Sequence, residues 1–210
     1  MLKTAPQAKL LVIACGALAH EIVWLQKQSG WGQIEVQCLD AELHNRPKLI
    51  PQKLRATLEK NRGQYQHVFI GYGDCGTGGE IDRIIEQEWQ AGNKKIERLP
   101  GAHCYSFYAG EQRFNDLANQ ELGTFYLTDF LVEHFERLVV RGLKLDKFPE
   151  LREQYFANYK LVVYLSQRVD SELVPKAKAA AKFLGLGFRH EYSGYGDLET
   201  TLKQQVLKLR

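Results

Sequence analysis

The stretch "HVFIGYGDCGTGGEIDRIIEQEW", residues 67–89, decides how this chain folds. It opens with a short apolar run, passes through a glycine-rich turn and continues into a helix-like segment. Strand, loop and helix in that order form the unit that parallel sheets repeat, because a parallel partner can be reached only by a crossover. Read literally, Gly71, Gly73 and Gly76 spell G-x-G-x-x-G between strand and helix, where a dinucleotide fingerprint is expected. Glu97 follows at about the distance of a ribose-binding acid. Asp74 argues the other way, since it puts negative charge where a pyrophosphate would sit. Glycines also let a backbone turn sharply and hold up one side chain. Here that side chain is Cys75, close to a helix N-terminus whose dipole favours a thiolate. The loop is therefore read as presenting Cys75.

The same unit recurs on both sides. "KLLVIA" (9–14) precedes "LAHEIVWLQKQ", and "IEVQCL" (34–39) precedes a loop and "IPQKLRATLEKNRG". "KKIERL" (94–99) leads into "HCYSFYAG", "YKLVVYL" (159–165) into "ELVPKAKAAAKFLG", and "LGFRHEY" (186–192) into "GDLETTLKQQVLKL". This repetition predicts an α/β fold with a mostly parallel central sheet and helices on both faces, Rossmann-like or flavodoxin-like. Nearly continuous apolar strands such as "LVVYL" fit a sheet covered on both sides. Residues 111–158 break the rhythm with "FYLTDFLVEHFERLVVRGL", apolar at helical spacing, and are read as a helical insertion in a single domain spanning 1–210. "GYGD" occurs at 71–74 and again at 194–197, either as a good strand-to-helix turn with Asp as N-cap or as the trace of a duplication.

The charge balance narrows the partners. A net charge of +3, with basic residues scattered among acids, gives no basic stripe for nucleic acid. The N-terminus "MLKTAPQAKLLVIACGALAH" has no small-residue cleavage site after its apolar run, and no apolar run of about 18 residues exists, so neither a signal peptide nor a membrane span is expected. A cytoplasmic setting follows, in which four cysteines serve as metal ligands, catalytic groups or core residues sooner than as disulfides.

Ligands of open α/β sheets bind outside the carboxyl ends of the strands. Cys15 follows the first strand, with His20 and Glu21 beyond it. Asp40, Glu42, His44 and Asn45 follow the second, Asp74 and Cys75 the third, His103 and Cys104 the fourth, and Ser166 and Gln167 the fifth. Cys38 falls within its strand and reads as a core thiol. Cys15, Cys75 and Cys104 are thus expected to converge as metal ligands. Thiolates select zinc or, as the alternative, a three-cysteine 4Fe-4S cluster, and would not select Mg²⁺ or Ca²⁺. His20, His44, His103 or water would complete the set. His44 and Asp74 are the candidates for proton transfer, and Asn45 and Gln167 for substrate orientation. His67, His134 and His190 read as ordinary structural residues. Two other readings use the same residues: a Cys-His nucleophile with loop amides as oxyanion donors, and a non-enzymatic metal- or cofactor-handling protein.

With "ACGAL", "LHNRPKLIP", "GYGDCGTGG" and "HCYSFYAG" in this order, the chain resembles a bacterial and archaeal domain-of-unknown-function family often encoded near corrinoid-dependent methyltransferases. The resemblance spans roughly residues 9–170. The family's last block more usually reads His-Asp-Cys, whereas this chain has Ala102-His103-Cys104, so Cys104 is the residue carried over. The resemblance implies a soluble cytoplasmic protein linked to one-carbon or corrinoid metabolism, and zinc-thiolate methyl transfer would suit that setting. The partner would then be a small-molecule substrate or a protein such as a corrinoid protein.

Overall fold

The computed structural model describes residues 10–209; Lys9, which opens the first expected strand, and most of the N-terminal segment read for a leader lie outside them. The fold class is α/β, and every strand pairing in it is parallel. The strands divide into two sheets, and the chain into two compact units.

The first unit holds β1 (Leu10–Cys15), β2 (Ile34–Leu39), β3 (His67–Gly71) and β4 (Ile96–Arg98), ordered β2-β1-β3-β4. Central β1 is buried at all six positions, which is why its sequence shows no alternation. Three helices connect these strands: α1 (Ala19–Gln28), α2 (Ile50–Lys60) and α3 (Glu80–Gln90). In α3 the residues Ile81, Ile84 and Ile85 lie at i, i+3 and i+4 and form its buried face. The edge strand β2 is tied to the end of α2 by reciprocal side-chain amide bonds between Gln37 and Asn61 at 3.0 and 3.1 Å.

The second unit, 105–197, holds β5 (Thr124–Leu127), β6 (Leu161–Ser166) and β7 (Gly187–Tyr192), ordered β5-β6-β7. Its helices are α4 (Tyr105–Ala109), α5 (Glu111–Gln120), α6 (Asp129–Glu133), α7 (Leu151–Phe156) and α8 (Leu173–Leu184). The last helix, α9 (Asp197–Leu207), belongs to the first unit from Leu198 onward. Buried Ala177, Ala180, Ala181 and Leu184 give α8 a stripe of mostly small residues on the face packed into the core with Val162 and Tyr164. Asp129 is fully buried at the start of α6 and accepts from Tyr164 Oη at 2.7 Å, Gln167 N at 3.1 Å and Arg168 N at 3.0 Å. The Arg168 guanidinium adds a charged contact at 3.2 Å. Because the donors come from β6 and the turn after it, one carboxylate joins the helix to the sheet.

Two expectations are corrected. A single central sheet was expected and two are found. The segment 111–158 is not a helical insertion, because it contains β5, the strand that opens the second sheet. "TFYL" is only four residues long and runs straight into the helix capped by Thr128, which accepts from Leu131 N at 3.3 Å. A period-two signal of that length is lost inside the helical pattern around it. The two "GYGD" stretches also differ in backbone: Gly194 and Gly196 have φ of 58° and 48°, whereas Gly71 and Gly73 keep negative φ. Among the described residues no helix is long and apolar enough to cross a membrane.

Candidate metal centre

Four elements of the first unit bring reactive side chains to the carboxyl edge of its sheet. Cys15 is the last residue of β1. Cys75 lies in the loop after β3, and Cys104 in the segment after β4. The glycines explain how these two segments come so close. A Cβ on Gly73 would stand 3.1 Å from His103 N and 3.2 Å from Gly101 O, and one on Gly71 would stand 2.9 Å from the Ala14 Cβ. With the side chains gone, the two backbones bond directly: Asp74 N donates to Gly101 O at 3.0 Å and Cys75 N to Ala102 O at 2.8 Å. Those two bonds set Cys75 beside Cys104. Cys75 itself has φ 49°, the left-handed region that non-glycine residues seldom enter.

The Asp74 side chain closes the rest of the loop. Its carboxylate accepts from Thr77 Oγ1 at 3.0 Å, Gly78 N at 3.2 Å and Gly79 N at 2.7 Å. Burial opposes its ionisation, but these donors outweigh burial and hold the carboxyl below its usual range. The amides of Asp74, Cys75, Gly78 and Gly79 are therefore already engaged. They are the groups a pyrophosphate, or an oxyanion, would have needed. The G-x-G-x-x-G pattern here serves backbone packing and thiol placement. Replacing Asp74 by Ala should cost about 0.5–2 kcal/mol of stability, the range for losing a side-chain cap of backbone amides; urea unfolding of the variant would measure it.

His44 arrives from the other side, on the 3₁₀ turn Ala41–Asn45 that begins where Asp40 accepts from Glu42 N at 2.9 Å. Pro47, just beyond, lies 3.5 Å from where a Gly76 Cβ would be, so this turn reaches the Cys75 loop. The donor atoms of His44, Cys75 and Cys104 all lie within 4.8 Å of one another. Cys75 and Cys104 are buried, while His44 is exposed as a residue but has its ring turned in against buried Tyr72, with a part-buried Nδ1 3.4 Å from Cys15 Sγ. Cys15 Sγ also accepts from Ala17 N at 3.3 Å. The compact trio is thus two cysteines and a histidine. Cys15, expected as its third member, instead contacts the histidine.

Charge is distributed unevenly across the trio. The hydrogen bond from Cys104 is the largest influence on Cys75; with help from His44 it overcomes burial and brings the Cys75 pKa to about 5. The same hydrogen bond, reinforced by burial, raises Cys104 well above an ordinary thiol. The two thiols titrate as one coupled pair, in which the hydrogen bond from Cys104 favours the charged form of Cys75. Burial pulls His44 down, but hydrogen bonds to Cys15 and Cys75 and their charges outweigh it and raise its pKa to about 10. A metal would have to displace these protons on binding.

Tyr72 completes the surroundings. It is fully buried between Gly71 and Gly73, and its ring stacks on His44 with centroids 6.3 Å apart at 16°. Burial first, and then the Cys15, Cys75 and Cys104 sulfurs, push its phenol above the usual range. Nothing in the spacing of the chain singles it out; the one signal is an aromatic between two glycines at a strand end.

The remaining candidates fall elsewhere. Asn45 is exposed on the turn that carries His44. Gln167 belongs to the second unit, buried, accepting from Asp129 N at 2.9 Å and donating to Leu165 O at 2.7 Å. His20 and His103 are exposed and are not among the three convergent donors. Cys38 is exposed on edge strand β2 and is not the core thiol expected. Among the described residues no strand pairs with its outer side.

A family described as "Protein of unknown function (DUF1638)" matches residues 38–202 of the chain, a span that includes His44, Tyr72, Cys75 and Cys104. No curated protein and no solved structure matches it.

Proposed function

The chain belongs to the DUF1638 family, and we propose that it is an enzyme that binds zinc through His44, Cys75 and Cys104. The observation that carries this reading is the convergence of one imidazole and two thiols within 4.8 Å. Around a tetrahedral zinc two sulfurs stand about 3.8 Å apart, so the donors lie within about 1 Å of a binding arrangement. Thiolate and imidazole donors suit zinc and disfavour hard cations. Three protein ligands with a fourth position for water or substrate is the pattern of catalytic zinc, Cys₂His included, whereas structural sites are closed by four. The position at the carboxyl edge of a parallel sheet is where α/β proteins place ligands.

Bound zinc would supply Lewis acidity and hold a water or thiol as an anion near neutral pH. The chain's own residues do the rest. Cys75 and Cys104 carry the negative charge, and the Asp74-tied loop fixes both. Cys15 engages His44 Nδ1 and orients its ring, as outer partners of ligating histidines do. Methyl transfer to or from a thiol is the reaction class proposed, with a small molecule or a corrinoid protein as partner and a cytoplasmic setting; this part rests on the resemblance. A 4Fe-4S cluster would require Cys15 to leave His44 and join the other two thiols. The Cys75 thiolate beside His44 also suits a nucleophile, although the loop amides it would need are engaged.

Elemental analysis with a visible spectrum, on protein purified without oxygen, tests the proposal. About one zinc per chain and no colour is the expected result. A brown sample rich in iron would replace zinc by the cluster. Absence of metal would leave Cys75 as a nucleophilic or structural thiol.

A further inference from the structure

Buried polar groups in native proteins find hydrogen-bond partners, so one that lacks a partner calls for a missing ligand, ion or water. The Tyr72 hydroxyl is such a group, buried and without a hydrogen bond. Its residue is wholly shielded from solvent. The Cys15 sulfur is within reach of it but does not form a hydrogen bond of normal geometry, and the Cys75 and Cys104 sulfurs act on it as well. The ring is held in place by packing and by its stack on His44. A buried phenol O–H without a hydrogen-bond partner thus belongs to a ring that stacks on His44, a member of the trio.

We infer that Tyr72 is the positioning donor for a small anion, a thiolate or hydroxide-like group, held at the fourth position of the metal. This inference rests on the metal reading above and adds to it a class of occupant. An anion there would accept from Tyr72 Oη and satisfy the buried hydroxyl. A cation or a group without a lone pair would leave that hydroxyl unsatisfied, and a neutral acceptor would gain only about half the strength of the charge-assisted bond an anion makes. Geometry also distinguishes Tyr72 from a packing residue: a phenylalanine would fill the same volume and remove the unsatisfied group.

The test uses full-length protein loaded with cobalt, whose visible spectrum reports occupancy of the metal and changes when an anion joins it. Azide and 2-mercaptoethanol are titrated separately into native protein and Tyr72→Phe. The variant should fold with undiminished stability and take up cobalt as the native chain does. It should bind the probes about 10- to 100-fold more weakly, the loss expected for a hydrogen bond to a charged group. Weakening of 2-mercaptoethanol alone would mark a thiolate as the occupant, and weakening of azide alone a smaller anion of the hydroxide kind. Unchanged affinity for both probes would overturn the role of Tyr72 and leave the metal reading standing. Failure of the native chain to take up cobalt would overturn both.

Discussion

Cys75→Ser is expected to remove the metal, lowering zinc affinity by more than about 100-fold, because loss of a ligand exceeds the 10- to 100-fold cost of losing an outer partner. Serine keeps the size of the side chain but offers a neutral hydroxyl where a thiolate lowered to about pH 5 had stood. It also tolerates the φ of 49° no worse than cysteine does, so loop geometry is preserved and the loss can be assigned to the sulfur. Cys104→Ser and His44→Ala should behave alike. Cys15→Ser should be milder, about tenfold, since Cys15 acts on the ligand His44 and is not one of the three convergent donors. Cys38→Ser, on the exposed edge strand, should leave metal content unchanged. Competition against a coloured chelator would rank all five variants. Equal retention across Cys75, Cys104 and Cys38 would refute the site, and a Cys15 effect as large as that of Cys75 would restore the three-cysteine set.

Asp129→Ala should cost the second unit about 3–5 kcal/mol, the range for breaking a buried, hydrogen-bonded ion pair. The loss is large because the donors stay behind. Tyr164 Oη, the amides of Gln167 and Arg168 and Arg168 Nε would all lose this acceptor at once, although the guanidinium keeps Glu133. Asp129→Asn retains one acceptor oxygen and should cost less than Ala. Chemical denaturation followed by fluorescence would measure both. A cost below about 1 kcal/mol for the alanine variant would mean that water replaces the carboxylate, and the buried latch would not exist.

Much of this architecture could be read from the chain itself, and the failures have physical causes. Six strands were legible because each is an apolar run ahead of a loop and helix. β5 was not, since four residues leading directly into a capped helix carry no period of their own. The convergence of Cys75 and Cys104 was legible from their places after adjacent parallel strands. His44 was noticed as a proton carrier and a possible fourth ligand, yet its entry into the trio depends on a 3₁₀ turn whose direction no periodicity encodes. Cys38 was misread because edge and interior strands look alike in one sequence; only the pairing order places β2 outermost. Asp74 sits in the right loop, but only its bonds to Gly78 and Gly79 show that it faces the backbone and not a substrate.

The loop closed by Asp74 has a consequence for selectivity. Glycine-rich turns at helix starts attract phosphate esters. Here the competitor is built into the chain: a carboxylate tethered one residue before Cys75 occupies Gly78 N and Gly79 N. Because it is covalently attached, its effective concentration is far above that of a dissolved phosphate, which would have to displace it to reach those amides. The loop thereby keeps a glycine-rich turn whose amides already face its own carboxylate, leaving the sulfur beside it to other chemistry.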